Sequence, residues 1–456
     1  MNNKISGLLL LGLLVAALPA AGQERPVSLA EAVAQARAGS QDVLAARARA
    51  RAAENGKKAA GSFWWPTVGL EAGAVRSDDP VAAFGGRLRQ GRFSQADFDP
   101  AGLNHPDPLT DWSGAVGALW APLDFSADAA YRAAAAEADA AGLGAEWATR
   151  AAGFRAEARY MEAVGARERL VAATAARVSA EANARVSGLR RDEGMLTDAD
   201  VLQAQAALEG ARAAEIDARR GLADARDRLA VALGWPVGQV PVPTDSTFPQ
   251  APAGSGDLES RPDVLASAAM VRAADARFAQ VRRARLPRVE GFARLATHSH
   301  RAFSGAEEDW TVGFQVRVPL FTGFAIRSQE RAAAAMRDAA ARDHELRVRE
   351  AQAQVAEAER AVDAARQGAA AAQAASDAAA EAARLMRRRF EEGLITTADL
   401  LGVEAQAAAL SMQAVNARLG LHLAAARLAF LTPAGGTDDT VTDTDTNEGM
   451  TGGFDR

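Results

Sequence analysis

The chain is written twice, and that duplication constrains its fold more than any other feature. Asp42-Val43-Leu44-Ala45 leads through an Ala/Arg-rich pattern to Trp65-Pro66-Thr67-Val68. Asp263-Val264-Leu265-Ala266 leads, at the same offset throughout, to Leu286-Pro287-Arg288-Val289. Further on, Trp120-Ala121-Pro122-Leu123 is answered by Arg317-Val318-Pro319-Leu320-Phe321. Last come Glu193-Gly194-Met195-Leu196-Thr197-Asp198-Ala199-Asp200-Val201-Leu202 and its counterpart, Glu392-Gly393-Leu394-Ile395-Thr396-Thr397-Ala398-Asp399-Leu400-Leu401. Landmarks matching in one order mark a tandem repeat, whose first copy carries about two dozen extra residues between Pro66 and Pro122.

Within each copy the hydrophobic period switches. Ser28 to Ala60 reads as helix. From Thr67 to Arg76, Val68, Leu70, Ala72 and Ala74 share one face against Thr67, Glu71 and glycines. Trp112, Val116, Ala118 and Trp120 alternate in the same way. In the second copy Val289, Ala293 and Leu295 alternate against Glu290, Arg294 and His298, and Trp310, Val312, Phe314, Val316 and Val318 against Thr311, Gly313, Gln315 and Arg317. These predict strands over 65–76, 111–121, 287–298 and 309–319. Each is about ten residues, the length of a tilted strand that crosses a bilayer. A half-buried strand of a soluble sheet gives the same alternation. Two features favour the membrane: Trp64, Trp65, Trp112, Trp120 and Trp310 sit at strand ends, where barrels carry aromatic girdles, and Ser77–Thr110 and Ser299–Asp309 have the Gly, Asp, Pro and His of surface loops.

After each strand pair comes a proline-free helical stretch, from about Ala127 to Arg191 and from about Ala325 to Glu392. At 1.5 Å per residue each extends about 100 Å. Val164, Val171 and Val178, and likewise Val348, Val355 and Val362, recur in heptads among Ala, Glu, Arg and Gln. So narrow a seam suits many coiled-coil helices laid side by side. Gly194 and Gly393 end the long helices, and Thr197…Asp200 and Thr396…Asp399 match the capping box that starts a returning helix. The returning helices run to about Leu233 and Leu431. The fold class is mainly α with a membrane β-barrel contribution, a tandem helix–strand–strand–helix–helix repeat.

Composition agrees. The hydrophobic class is 49% but aromatics only 5%, the difference being largely alanine, which suits close-packed helices more than one deep core. Residues 1–22 read as a signal peptide: Lys4, then an apolar run from Ile5 to Leu18 too short to span a bilayer, then small residues. The mature chain is expected to be exported, with no transmembrane helix. There are no cysteines, so disulfides, thiolate metal sites and a lipid anchor on an N-terminal cysteine are excluded. A net charge of −6 with mixed signs gives no footprint for nucleic acid.

The expected domains are a first repeat over 23–235, a Pro/Gly-rich linker outside the tube over 236–260, a second repeat over 261–433 and a disordered acidic tail over 434–456. Four strands cannot close a barrel, and open edges in lipid are prohibitively costly. Two chains would give eight strands, whose interior side chains can fill. Three give twelve and an aqueous lumen, so a homotrimer is expected.

At this point the chain resembles the TolC-like outer-membrane efflux proteins, from about Ser28 to Leu431. The duplication carries the resemblance, with Arg261-Pro262-Asp263-Val264, Pro319-Leu320-Phe321 and the two Gly-x-x-Thr-x-x-Asp-x-Leu hairpins. It implies a trimeric 12-stranded barrel in the outer membrane and a long α-helical tunnel in the periplasm. It also implies the role of exit duct in a tripartite efflux pump or type I secretion system, with outer-membrane lipid, a periplasmic adaptor (membrane fusion) protein and an inner-membrane transporter as partners, and neither enzymatic activity nor a cofactor. The tips Gly194, Met195, Leu196, Thr197 and Gly393, Leu394, Ile395, Thr396 correspond to where adaptors dock. Asp399 corresponds to a ring of carboxylates near the periplasmic entrance, while Gly402 stands where close relatives carry a second acid.

Asp399, Asp200, Arg191 and Arg388 are the gate candidates. Arg190, Arg387 and Arg389 lie beside them, where Arg–carboxylate pairs would hold an aperture shut. The plainer reading is that both aspartates only cap helices and the arginines are a solvated face. The other function these residues allow is a soluble periplasmic coiled-coil adaptor or structural protein. Of the histidines His105, His298, His300, His344 and His422, the pair His298-Ser299-His300 reads as an outer loop without acids in register to complete a metal site. His344-Glu345 lacks the second histidine of a zinc protease.

Overall fold

The structure, a computed structural model, describes residues 23–236, 238–245, 248, 258–302 and 305–432. The expected signal peptide and acidic tail lie outside the described residues. In chain order the elements are β1 (Gln23–Val27), α1 (Leu29–Gly39), α2 (Gln41–Ala60), β2 (Thr67–Ser77), α3 (Pro80–Arg89), α4 (Pro100–Asn104), β3 (Leu109–Leu123), α5 (Phe125–Asp192) and α6 (Asp198–Leu233). They continue as β4 (Gln239–Pro243), α7 (Pro262–Arg283), β5 (Arg288–Ser299), β6 (Glu307–Arg317), α8 (Ala325–Glu391) and α9 (Thr397–Leu431). Where the sequence suggests one helix from Ser28 to Ala60, two form. Ser28 starts α1 with a capping box to Glu31, and Ser40, in extended conformation, ends it after Gly39, a weak helix former. Among the described residues no helix is long and apolar enough to cross a membrane. The chain divides into two compact units, one of 1–44, 147–261 and 350–456, the other of 45–146 and 262–349.

The second unit holds an antiparallel sheet in the order β2-β3-β5-β6. Register places Leu70 beside Val116, Val116 beside Leu295 and Leu295 beside Trp310. Because side chains alternate between faces, Val68, Leu70, Trp112, Val116, Val312, Phe314 and Val316 form one apolar face, and all of these are exposed. Phe314 is 78% exposed, which a soluble sheet of this composition would cover. The opposite face is polar and cross-linked. Glu290, buried, accepts from Gln315 at 2.7 Å and pairs with Arg288 at 2.8 Å and Arg317 at 3.4 Å. Arg294 reaches Glu71 at 3.2 Å. β2 and β6 are the edges, with no strand on their far sides among the described residues.

Two expectations fail here. The segment expected as a surface loop between β2 and β3 contains α3 and α4. Asp79 caps α3, accepting from the Ala82 amide at 2.7 Å, and Pro80 fits the first turn. The following residue, Gln90, is buried and donates to Thr110 O and Asp111 Oδ1, both at 2.9 Å, which seats the helix end on the sheet's polar face. Gly86 lets it approach, since a Cβ there would overlap the Leu109 side chain. His298 lies at the end of β5, within the strand expected over 287–298, but acids do stand beside it, contrary to the reading of His298-Ser299-His300 as an outer loop without them. Its Nδ1 is 2.8 Å from Asp111 and its Nε2 3.5 Å from Asp309. Strand pairing supplies acids that are distant in sequence, and they meet opposite ring nitrogens rather than converging on one point.

In the first unit, five residues of the proline-rich segment after α6 form a strand. β4 pairs in parallel with β1, Gln239 opposite Gln23 and Pro243 opposite Val27. The strands seat on a core built from Val27, Tyr160, Met161, Val164, Leu229 and Leu233. Tyr160 donates to Val27 O at 3.1 Å and contacts Asp245, whose carboxylate accepts from the Leu29 amide at 3.2 Å. Burial is the main cause that pushes the Tyr160 phenol above its ordinary pKa, followed by its bond to Asp245. Tyr160→Phe leaves buried acceptors without their donor, so the variant is expected to lose about 1–3 kcal/mol, read as a shift in the denaturation midpoint.

Candidate functional site: the two helical hairpin tips

Both hairpin tips lie in the first unit and are built alike. Gly194 and Gly393 take φ of 77° and 76°, the left-handed conformation that favours glycine. Gly194 N–H donates to Arg191 O at 2.9 Å and Met195 N–H to Arg190 O at 2.8 Å. Gly393 N–H donates to Phe390 O and Leu394 N–H to Arg389 O, both at 2.9 Å. These close the last turns of α5 and α8 as Schellman motifs. Three residues later the next helix begins. The Thr197 hydroxyl donates to Asp200 at 2.6 Å and accepts from the Asp200 amide at 3.3 Å; for Thr396 and Asp399 the distances are 2.6 and 3.1 Å. Between the glycine and the cap, Met195 and Leu394 are exposed, while Leu196 and Ile395 are partly covered.

Asp200 and Asp399 are thus both capping residues. The threonine hydroxyls, and then the threonine amides, hold the two carboxyls below the ordinary 3.8. A depressed folded-state value gives stability that is present above 3.8 and lost as the pH falls through the lower folded value. Tip amides are therefore expected to keep their protection from hydrogen exchange down to about pH 4 and to lose it in stronger acid.

The arginines divide. Arg191 pairs on its own hairpin, with Asp192 at 3.0 Å and Asp198 at 3.4 Å; it is half exposed, so these pairs contribute little. Arg190 spans the hairpins, donating to Phe390 O at 2.5 Å and Glu391 O at 2.6 Å and lying 4.8 Å from the Phe390 ring centroid. It thereby neutralises the carbonyl end of α8. Arg388 is exposed. Arg387 meets a largely covered carboxylate: its Nε and one terminal nitrogen donate to Glu404 Oε1 at 3.0 and 2.7 Å. Ser179 donates to the same oxygen at 3.2 Å, and Asn183 to the other. Glu404 therefore ties α5, α8 and α9 together just behind the tips. The sequence does not single it out, because its partners lie on two other helices, α5 and α8. The available signal was that α9 carries only two acids, Asp399 and Glu404.

A family model described as "Outer membrane efflux protein" matches residues 32–235 and 255–433. The chain belongs to the outer membrane efflux protein family. It is a family of channels rather than of enzymes, and it places the chain in the outer membrane. Protein CyaE of Bordetella pertussis is 30% identical over 192 residues, 39% of this chain and 40% of CyaE. Outer membrane protein OprJ of Pseudomonas aeruginosa is 28% identical over 247 residues, 52% of this chain and 51% of OprJ. The chain thus spans about half the length, or less, of these curated relatives. The fold is that of the Campylobacter jejuni CmeC outer membrane channel, with a TM-score of 0.76 at 18% identity over 89% of this chain and 85% of CmeC. The mainly helical fold class and the family resemblance read from the sequence both hold.

Proposed function

We propose that this chain is one protomer of a passive outer-membrane exit duct, three copies of which close a 12-stranded barrel. The observation that carries this reading is the four-stranded sheet, bare and apolar on one face, charged on the other and open at both edges. In lipid each unpaired edge group costs several kcal/mol, so the edges demand neighbouring copies. The apolar face then meets lipid and the Glu290–Arg317 face lines water. The long helices need neighbours as well: Val171 and Val178, expected in a heptad seam, are exposed in the single chain. Membrane fractionation with cross-linking tests the reading. Trimers in the outer-membrane fraction support it; monomers in the soluble periplasmic fraction overturn it.

In this duct the hairpin tips face the periplasmic machinery. The exposed Met195 and Leu394, on glycine turns of matching geometry, suit docking of an adaptor that links the duct to an inner-membrane transporter. Asp399 is exposed and keeps lone pairs that its capping bonds do not use, which suits a carboxylate ring when three copies meet. Asp399→Ala is then expected to weaken block of the open channel by a trivalent cation. Unchanged block would leave Asp399 a helix cap only.

A further inference from the structure

After β6 the chain turns through Val318-Pro319-Leu320-Phe321-Thr322-Gly323-Phe324 into α8. Val318 and Leu320 continue the even-numbered apolar row of the bare face, and Leu320 is 95% exposed. Gly323 and Phe324 follow with φ of 62° and 64°. Among the described residues Phe324 is the only non-glycine in the left-handed region, an unfavourable place for a bulky side chain. That strained turn sets the Phe324 ring edge-on to Phe321, with centroids 5.5 Å apart, and both rings are exposed.

The rings border an open hollow of about 770 Å³ whose other wall carries Arg285, Arg327, Glu330 and Arg331. Glu330 is already bound by Arg285. The side chains of Arg327 and Arg331, one helical turn apart, make no hydrogen bond or ion pair among the described residues. Uncompensated positive charge therefore lies beside exposed aromatics, continuous with the apolar sheet. The corresponding junction of the first repeat differs: Asp124 stands there and pairs with Arg288 at 3.4 Å.

We propose that this junction binds the headgroup of an anionic phospholipid from the leaflet at the helix-bearing end of the sheet. Arg327 and Arg331 hold the phosphate, and Leu320, Phe321 and Phe324 lie against the acyl chains. The inference rests on the membrane reading of the sheet. Aromatic rings favour the headgroup level, and arginine lays its stem on apolar surface while its guanidinium seeks phosphate.

The test is native mass spectrometry of the full-length protein extracted from nanodiscs of phosphatidylcholine mixed with phosphatidylglycerol. The wild type is expected to retain phosphatidylglycerol with about tenfold preference. Arg327→Gln with Arg331→Gln is expected to abolish the preference, and Arg342→Gln, an exposed arginine further along α8, to keep it. Equal retention of the two lipids by the wild type, or an undiminished preference in the double variant, would overturn the proposal. So would displacement of the lipid by millimolar inorganic phosphate, which would make this a site for free phosphate. Conversion of Phe321→Ser with Phe324→Ser to monomers at unchanged lipid preference would reassign the patch to a seam between copies. A protein that inserts and conducts but shows no preference refutes this inference alone; one that never enters the membrane refutes the reading beneath it.

Discussion

Val312→Arg and Phe314→Arg, each on the bare face of β6, are expected to abolish stable insertion into membranes, whereas Thr311→Glu on the opposite face leaves it intact. Val312 and Phe314 are 67% and 78% exposed and share one face of the outermost strand. If that face meets lipid, an arginine near the midplane costs about 2–4 kcal/mol per copy, and a trimer carries the substitution three times. Thr311 lies opposite Arg294 on the polar face, where a glutamate gains a cationic neighbour. Refolding into vesicles, followed by urea titration, reads the difference. Equal tolerance of charge at 311, 312 and 314 would mean that neither face is in lipid.

The second large effect is expected from Glu404→Ala. Its carboxylate is 13% exposed and accepts from Arg387, Ser179 and Asn183. Removing it leaves Asn183, buried, and the Arg387 guanidinium without their common acceptor. Arg387 is 43% exposed and can turn toward water, which limits the loss to about 1–3 kcal/mol. Faster hydrogen exchange in the adjoining turns of α5, α8 and α9 and a higher resting conductance are the expected signs. Arg387→Ala in the Glu404→Ala background should add little, because the coupling is already lost. Additive effects would mean that the two residues act separately.

What could be read from the sequence followed a simple division. Features with a local period or a local bond were legible: the alternations that became β2, β3, β5 and β6, and the Thr–Asp caps beside Gly194 and Gly393, whose partners are three residues apart. Features made by distant partners were not. β1 and β4 are five residues each and exist only by pairing across the first repeat. His298 gained its acids from the neighbouring strands β3 and β6. Glu404 likewise found its partners on other helices, and α3 was hidden in a Gly- and Pro-rich segment whose composition resembles a loop. At the tips, sequence alone placed the aspartates correctly as caps. It could not separate Arg190, which binds carbonyls across the hairpins, from Arg191, which pairs on its own hairpin.

The most direct test of the central claim is conductance of the purified full-length protein in a planar bilayer. A duct with a water-filled lumen predicts discrete, long-lived steps of one unit size that scale with salt concentration. A bilayer that stays silent with correctly folded trimers added from either side would contradict the channel.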